Sequence, residues 1–200
     1  MREAFKEYMN KELGSDLVLI SCGLPASYKT ETTEVIARMK GYVILRTDLI
    51  RLEVLKGEDI FDEKVASSMD KRNLVYDEVF RRASELAAKD KGVILDATFI
   101  TQKLRRRAAE VAALNNKTFV IQQTVCPQEI SLGRISRRTR ENYESNAITE
   151  QAYLNNKNKF EPVDLADLKG LYPNLKIIHL TVDTALDSED EWKVIERTEV

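Results

Sequence analysis

Apolar residues gather in five short runs of strand length: Leu17-Val18-Leu19-Ile20, Tyr42-Val43-Ile44-Leu45, Gly92-Val93-Ile94-Leu95, Phe119-Val120-Ile121 and Lys176-Ile177-Ile178-His179-Leu180. Each is nearly continuous rather than alternating, the pattern of strands buried on both faces. Segments of helical period lie between them, such as Asn73 to Lys89 and Gln102 to Leu114. Phe5, Tyr8, Met9 and Leu13 also fall at helical spacing, which predicts an amphipathic N-terminal helix within residues 1–14. Strands alternating with helices predict an α/β domain with a parallel sheet covered by helices. No internal repeat, low-complexity tract or long linker divides the chain, so one domain is expected over residues 1–200.

In such sheets ligands bind beyond the carboxyl ends of the strands, and the polar clusters fall there. The first strand runs into Gly23-Leu24-Pro25-Ala26-Ser27-Tyr28-Lys29-Thr30. A phosphate-binding P-loop needs Gly, four free positions, Gly, Lys and Ser or Thr, and only Tyr28 departs from that pattern. A loop of this kind turns successive N–H groups onto phosphate oxygens at a helix N-terminus. Gly23, Ser27, Tyr28, Lys29 and Thr30 are therefore candidate nucleotide-binding residues. The ammonium of Lys29 is suited to the outer phosphates and the hydroxyl of Thr30 to Mg²⁺. The plainer alternative is a turn punctuated by Gly and Pro.

The second strand leads to Asp48-Leu49-Ile50-Arg51. If a helix starts at Asp48, carboxylate and guanidinium share its first turn. Asp48 could then take a proton from a substrate hydroxyl while Arg51 grips the acceptor; an N-cap beside a surface arginine is the alternative. The third strand ends in Asp96-Ala97-Thr98. Asp96 is a candidate to orient water on Mg²⁺, and Thr98 to orient a phosphate or the acceptor, against a simple strand-end turn. Arg134, Arg137 and Arg138 are spaced to share one face of a helix beginning after Pro127. Such a stripe could meet a transferring phosphate, or form a solvated basic face.

Composition narrows the classes. The net charge of −2 does not advertise nucleic-acid binding, although Arg105-Arg106-Arg107 is basic and the stretch from Asp187 to Glu191 is acidic. Two cysteines and one histidine offer neither a disulfide framework nor a zinc site. The start is charged and no apolar run is long enough to cross a bilayer, so a cytoplasmic protein without a membrane partner is expected.

Taken together, the Gly23–Thr30 loop, Asp48-Leu49-Ile50-Arg51, Leu95-Asp96-Ala97-Thr98-Phe99 and the arginine-rich helix resemble P-loop kinases of the zeta-toxin and polynucleotide 5′-hydroxyl kinase group. Ser145-Asn146-Ala147 and Phe160-Glu161-Pro162 are similar to further segments of that group. The resemblance spans about residues 17–182. It implies a P-loop NTPase fold with five parallel strands in the order 2-3-1-4-5 and a helical lid at about residues 127–162. It further implies Lys29 and Thr30 on nucleotide phosphates and Mg²⁺, Asp48 activating the acceptor, Arg51 holding it, and Arg137 or its neighbours on the moving phosphate.

The expected activity is transfer of the γ-phosphate of ATP or GTP to a hydroxyl, on a small metabolite or a nucleic-acid 5′ end. Tyr28 in place of glycine and Glu31 in the first helical turn keep a second reading open, a relative that binds or scaffolds with little turnover. Tyr28 is expected to lower nucleotide affinity if its ring enters phosphate space. If the ring points outward onto a neighbouring helix, affinity should be unaffected.

Overall fold

The run Leu17–Cys22 is buried along its whole length and forms the middle of the parallel part of the sheet. The computed structural model describes all residues except 61, 63, 66, 67, 90, 91 and 139–148. Its elements in chain order are β1 (Glu3–Ala4), α1 (Phe5–Glu12), β2 (Leu17–Cys22), α2 (Lys29–Lys40), β3 (Val43–Arg46), α3 (Thr47–Val54), α4 (Met69–Ala87) and β4 (Val93–Asp96). After these come α5 (Gln102–Leu114), β5 (Thr118–Val125), α6 (Gln128–Ile135), α7 (Glu150–Lys159), α8 (Leu165–Leu171), β6 (Ile177–Asp183) and β7 (Lys193–Glu199).

The strand order is β1-β7-β6-β5-β2-β4-β3. The ladders β3–β4, β4–β2, β2–β5 and β5–β6 are all parallel. In this run the expected parallel order 2-3-1-4-5 is present. The expected total of five strands is corrected to seven, because β7 adds antiparallel to β6 and β1 antiparallel to β7. β7 escaped notice because it lies toward the sheet edge: Val194 is buried, but Glu196 to Glu199 are exposed, so no apolar run marks it.

The alternation of strand side chains divides the interior in two. Val18, Ile20 and Cys22 face a core completed by α4 and α5 through Val75, Val79, Ala83, Ala108 and Ala112. Leu17 and Leu19 face the opposite core, completed by Phe5 and Met9 of α1, Val35 and Ile36 of α2, and Trp192. Cutting Ile20 or Leu19 back to alanine in such a setting costs about 2–5 kcal/mol. α2 stops at Gly41, whose φ of 71° and N–H bond to the Ala37 carbonyl form a left-handed C-cap.

The arginine stripe is also corrected. α6 does begin after Pro127, but it ends at Ile135, so Arg137 and Arg138 lie beyond the helix that carries Arg134. The segment Ser145-Asn146-Ala147 falls outside the described residues. α6 and α7 pack beside the Gly23–Thr30 loop, where Ala26 meets Ile135 and Tyr153 in a small cluster. Among the described residues no helix is long and apolar enough to cross a membrane.

Candidate active site

Where β2 ends, the chain must turn beside β5, and Gly23 makes this possible. Its φ is 146°, and a Cβ there would lie 2.6 Å from Thr124 Oγ1 and 2.7 Å from the Thr124 carbonyl oxygen. Any side chain would clash, so the position requires glycine. The Gly23 N–H donates to the Thr98 carbonyl at 3.3 Å, tying the loop to the end of β4. Ser27 Oγ donates to the Leu24 carbonyl at 2.7 Å and lies 2.7 Å from Thr124 Oγ1. Ser27 thus shapes the loop from within. Ala26 and Tyr28 both adopt left-handed backbone, with φ of 59° and 55°, before α2 begins at Lys29. Tyrosine at such a φ carries local strain of about 1–3 kcal/mol, held in place by its surroundings.

Lys29 Nζ donates to the Leu24 carbonyl at 2.7 Å, across the mouth of the loop. Burial pushes this ammonium below the ordinary lysine range, while the charges of Asp96 and Glu31 oppose the shift. Thr30 Oγ1 donates to one oxygen of Asp96 at 2.6 Å, and Ser21 Oγ donates to the other at 2.8 Å. Asp96 itself is buried at the carboxyl end of β4, and Thr47 Oγ1 donates to its carbonyl at 2.6 Å. A hydroxyl and an adjacent carboxylate suit the hard, oxygen-seeking Mg²⁺, which takes few protein ligands and keeps several waters. Among the described residues there is no cluster of three or more His, Cys, Asp or Glu to hold a metal by protein ligands alone. Burial raises the Glu31 carboxyl, against the lowering effects of its own backbone N–H, Lys29 and Arg138.

The second rim cluster lies on α3. This helix starts at Thr47, one residue before Asp48, so Asp48 and Arg51 occupy its first two turns as the spacing requires. Burial raises the Asp48 carboxyl above the ordinary aspartate range, the Arg51 charge lowers it, and Asp96 raises it further. Arg51 Nε is buried and has no hydrogen-bond partner. Tyr76 of α4 joins them. Its ring stands 6.0 Å from that of Phe99, and burial pushes its phenol up while the charges of Arg72 and Arg51 oppose the shift.

Tyr28 and Arg134 lie behind the loop. The Tyr28 ring turns away from the loop mouth and stands 5.5 Å from that of Trp192 at 35°, with its hydroxyl donating to Asp187 at 2.9 Å. The Arg134 guanidinium lies 3.8 Å above the same ring. Arg134 also donates to the carbonyls of Ala26 (3.1 Å), Thr184 (2.9 Å) and Ala185 (3.1 Å) and pairs with Asp187 at 2.8 Å. Its donors are thus occupied by the protein. The outward position of Tyr28 removes the expectation that the ring fills phosphate space. Arg137 is exposed just past α6 and adds its charge to the surroundings of Asp187, while the charge of Arg138 reaches Lys29 and Glu31.

The Arg105-Arg106-Arg107 tract is not a basic patch. Arg105 is 0% exposed and donates to the carbonyls of Phe99, Glu161 and Pro162. Arg106 pairs with Asp167 and Arg107 with Asp77. The structure therefore brings Gly23, Ser27, Lys29, Thr30, Asp96, Asp48, Arg51 and Thr98 to one rim and turns Tyr28 and Arg134 to its rear. Sequence reasoning missed Ser21, Thr47, Thr124, Tyr76 and Asp187. Ser21 and Thr124 stand near the carboxyl ends of adjacent strands and were in principle legible. Tyr76 sits inside a helix among apolar neighbours and gave no signal.

Known proteins agree with this architecture. No curated protein matches the chain in sequence. A sugar kinase from Janibacter sp. HTCC2649 superposes with a TM-score of 0.58 at 13% identity, covering 84% of this chain and 86% of that one. A gluconokinase from Sinorhizobium meliloti 1021 gives 0.59 at 16% identity, covering 87% and 86%. A chain of the Pnkp1/Rnl/Hen1 RNA repair complex gives 0.54 at 18% identity, covering 77% of this chain and 50% of that one. These likenesses are of fold, a helix-flanked sheet of the P-loop kinase class. The AAA domain family model, AAA_33, matches residues 18–163, from β2 to the segment before α8, and the chain belongs to that family.

Proposed function

We propose that the protein transfers the γ-phosphate of ATP or GTP to a hydroxyl group. The observation that carries this reading is the convergence of Lys29, the Thr30–Asp96 pair at 2.6 Å and Asp48 at neighbouring strand ends. The loop amides and Lys29 hold the nucleotide phosphates, with Ser27 and Gly23 fixing the shape of the loop. Thr30 and Asp96 would hold Mg²⁺, which when bound neutralises charge on the phosphate oxygens. Asp48 accepts the proton of the acceptor hydroxyl, and its raised carboxyl brings it nearer the working range of a general base. The acceptor oxygen forms the new bond to phosphorus, the bond to the bridging oxygen breaks, and the nucleoside diphosphate leaves. Arg51 and Thr98 face the acceptor. Arg137 and Arg138, just past α6, border the nucleotide side.

A second reading, binding without turnover, draws support from Glu31, whose carboxylate adds negative charge beside Lys29. Calorimetric titration with Mg-ATP and Mg-GTP, followed by transfer of labelled phosphate to a panel of hydroxyl acceptors, separates the two. Asp48→Asn should retain nucleotide binding and lower transfer by roughly 10²–10⁴-fold. Absence of binding heat with either nucleotide at millimolar concentration would sink the kinase reading. Binding with no transfer to any acceptor would favour the second.

A further inference from the structure

Arg105 lies in the interior without a counter-charge. It is 0% exposed, and among the described residues it forms no ion pair. A guanidinium withdrawn from water without a carboxylate is strongly unfavourable unless its N–H groups are met by acceptors. Here each nitrogen is met. Nε donates to the Phe99 carbonyl at 3.0 Å, Nη1 to that of Pro162 at 2.9 Å and Nη2 to that of Glu161 at 2.7 Å. Gln102 Oε1, the Ile100 carbonyl and Cys22 Sγ follow at 3.3, 3.5 and 3.6 Å. The guanidinium carbon also stands 5.2 Å from the centre of the Phe160 ring. Apart from Cys22, these partners come from two stretches of chain, the turn that follows β4 and the connection from α7 to α8.

Each stretch bears on the site. Phe99 is buried with a φ of 41°, a left-handed conformation that bulky residues avoid and that only firm surroundings maintain. Its ring is held by those of Tyr76 at 6.0 Å and Phe80 at 6.4 Å. Its carbonyl is held by Arg105 and, at 3.7 Å, by the Cys22 thiol. The residue before it is Thr98, whose own carbonyl accepts the Gly23 N–H at the start of the loop. If the turn relaxed, Thr98 and that anchor would both shift. On the other side, the Glu161 N–H donates to the Ile100 carbonyl at 2.8 Å, and Gln102 exchanges hydrogen bonds with the backbone of Asp164. This connection closes α7, whose Tyr153 packs with Ala26 of the loop. One guanidinium therefore joins the rim that carries Thr98 to the end of the helix that flanks the loop.

We propose that Arg105 is a positioning residue of the candidate active site. By holding the Phe99 turn it fixes Thr98 at the rim and keeps Gly23 anchored, and it makes this turn and the end of α7 one rigid piece. Its effect on rate rests on the phosphotransfer reading, whereas its effect on the turn does not. Lysine cannot replace it, because a single ammonium has the charge but lacks the planar fork that reaches both stretches. Displacing a positioning group by about 1 Å is enough to slow a transfer by roughly a hundredfold. Nucleotide binding suffers less, since the turns of the loop are also held from behind by Ser27 and Arg134.

The test compares the full chain with its Arg105→Lys and Arg105→Gln variants by hydrogen exchange, read at the amides of Gly23 and Leu19. Leu19, buried at the centre of β2, exchanges when the whole domain opens, and Gly23 when the rim loosens, so their ratio cancels a general loss of stability. In both variants Gly23 should exchange roughly tenfold faster relative to Leu19. Met9→Ala, which lowers stability from the opposite core, should leave the ratio as in the parent. In label transfer the variants should lose roughly 10–100-fold in kcat, with Mg-ATP affinity lowered by less than about tenfold. A parent that transfers label to no acceptor counts against the kinase reading alone, because the exchange ratio is measured without substrate. If neither variant folds, the parent decides: its Arg105 Nε–H should exchange as slowly as the Leu19 amide, and fast exchange there overturns the proposal. So does an unchanged ratio in the arginine variants, an equal change in Met9→Ala, or a loss confined to Mg-ATP affinity with kcat intact.

Discussion

The two faces of the Gly23–Thr30 loop are built on opposite principles. The front is sparsely tied: Lys29 reaches one carbonyl, and Thr30 and Ser21 share Asp96. The rear is saturated, with Arg134 donating to the carbonyls of Ala26, Thr184 and Ala185, stacking on Tyr28 and pairing with Asp187. Groups that must exchange partners with a ligand are kept few and polar at the front. The groups that hold the loop in its left-handed turns are locked behind it. An unusual residue at position 28 is tolerated because its ring belongs to the rear, where an aromatic neighbour and a cation receive it.

The comparison breaks most sharply at Lys29. Lys29→Ala should cut nucleotide affinity by roughly a hundredfold or more, since it removes a charge-assisted contact to phosphate, yet leave the denaturation midpoint little changed. A large loss of stability would mean that the front also holds the fold. Arg134→Ala should do the reverse, costing about 2–4 kcal/mol in urea unfolding because three carbonyls lose a charged donor. An Arg134→Ala protein as stable as its parent would show the rear clamp to be decorative.

Tyr28→Gly sharpens the distinction on a smaller scale. Glycine relieves the φ of 55° but loses the contacts with Arg134 and Trp192, worth about 0.5–2 kcal/mol for the cation alone. We expect a net destabilisation of about 1 kcal/mol, with Mg-ATP affinity changed less than about threefold. A tenfold gain in affinity would return the ring to the phosphate side. The smallest effect is that of pH at Asp187. The hydrogen bonds from Tyr28 and Arg134 hold this carboxyl below the ordinary aspartate range. Its contribution is therefore complete above the unfolded-state pKa and fades as pH falls through the lower, folded value. Because Asp187 is largely exposed, the acid-limb difference between the parent and Asp187→Asn in thermal unfolding should be slight. A parent–variant difference that changes with pH near neutrality, rather than in acid, would contradict the assignment.

The front of the loop was legible in the sequence and the rear was not, for physical reasons. Lys29, Thr30, Asp48 and Asp96 follow apolar runs, and a parallel sheet must gather such strand ends at one rim. The rear partners Thr184, Asp187 and Trp192 come from the far end of the chain, and no local period links them to position 28. Arg134 was read as a ligand arginine because spacing records which residues share a helix face but not what that face meets. The same limit hid Arg105, which the sequence marks only as part of a basic triplet and whose side chain is entirely enclosed. The parallel strands were found because burial on both faces leaves them continuously apolar, whereas β7 is buried only at its start.

The pairing of Glu3 with Val194 and of Ala4 with Lys193 has a consequence for how the molecule reaches its native state. Contacts between residues so far apart in sequence close a long loop, and chains rich in such contacts fold slowly. Trp192, which flanks Tyr28, belongs to this last segment. During synthesis the loop can therefore acquire its supporting wall only after the chain has emerged as far as Trp192. Until then, a nascent chain has the residues of a nucleotide cradle without the surroundings that hold it in shape.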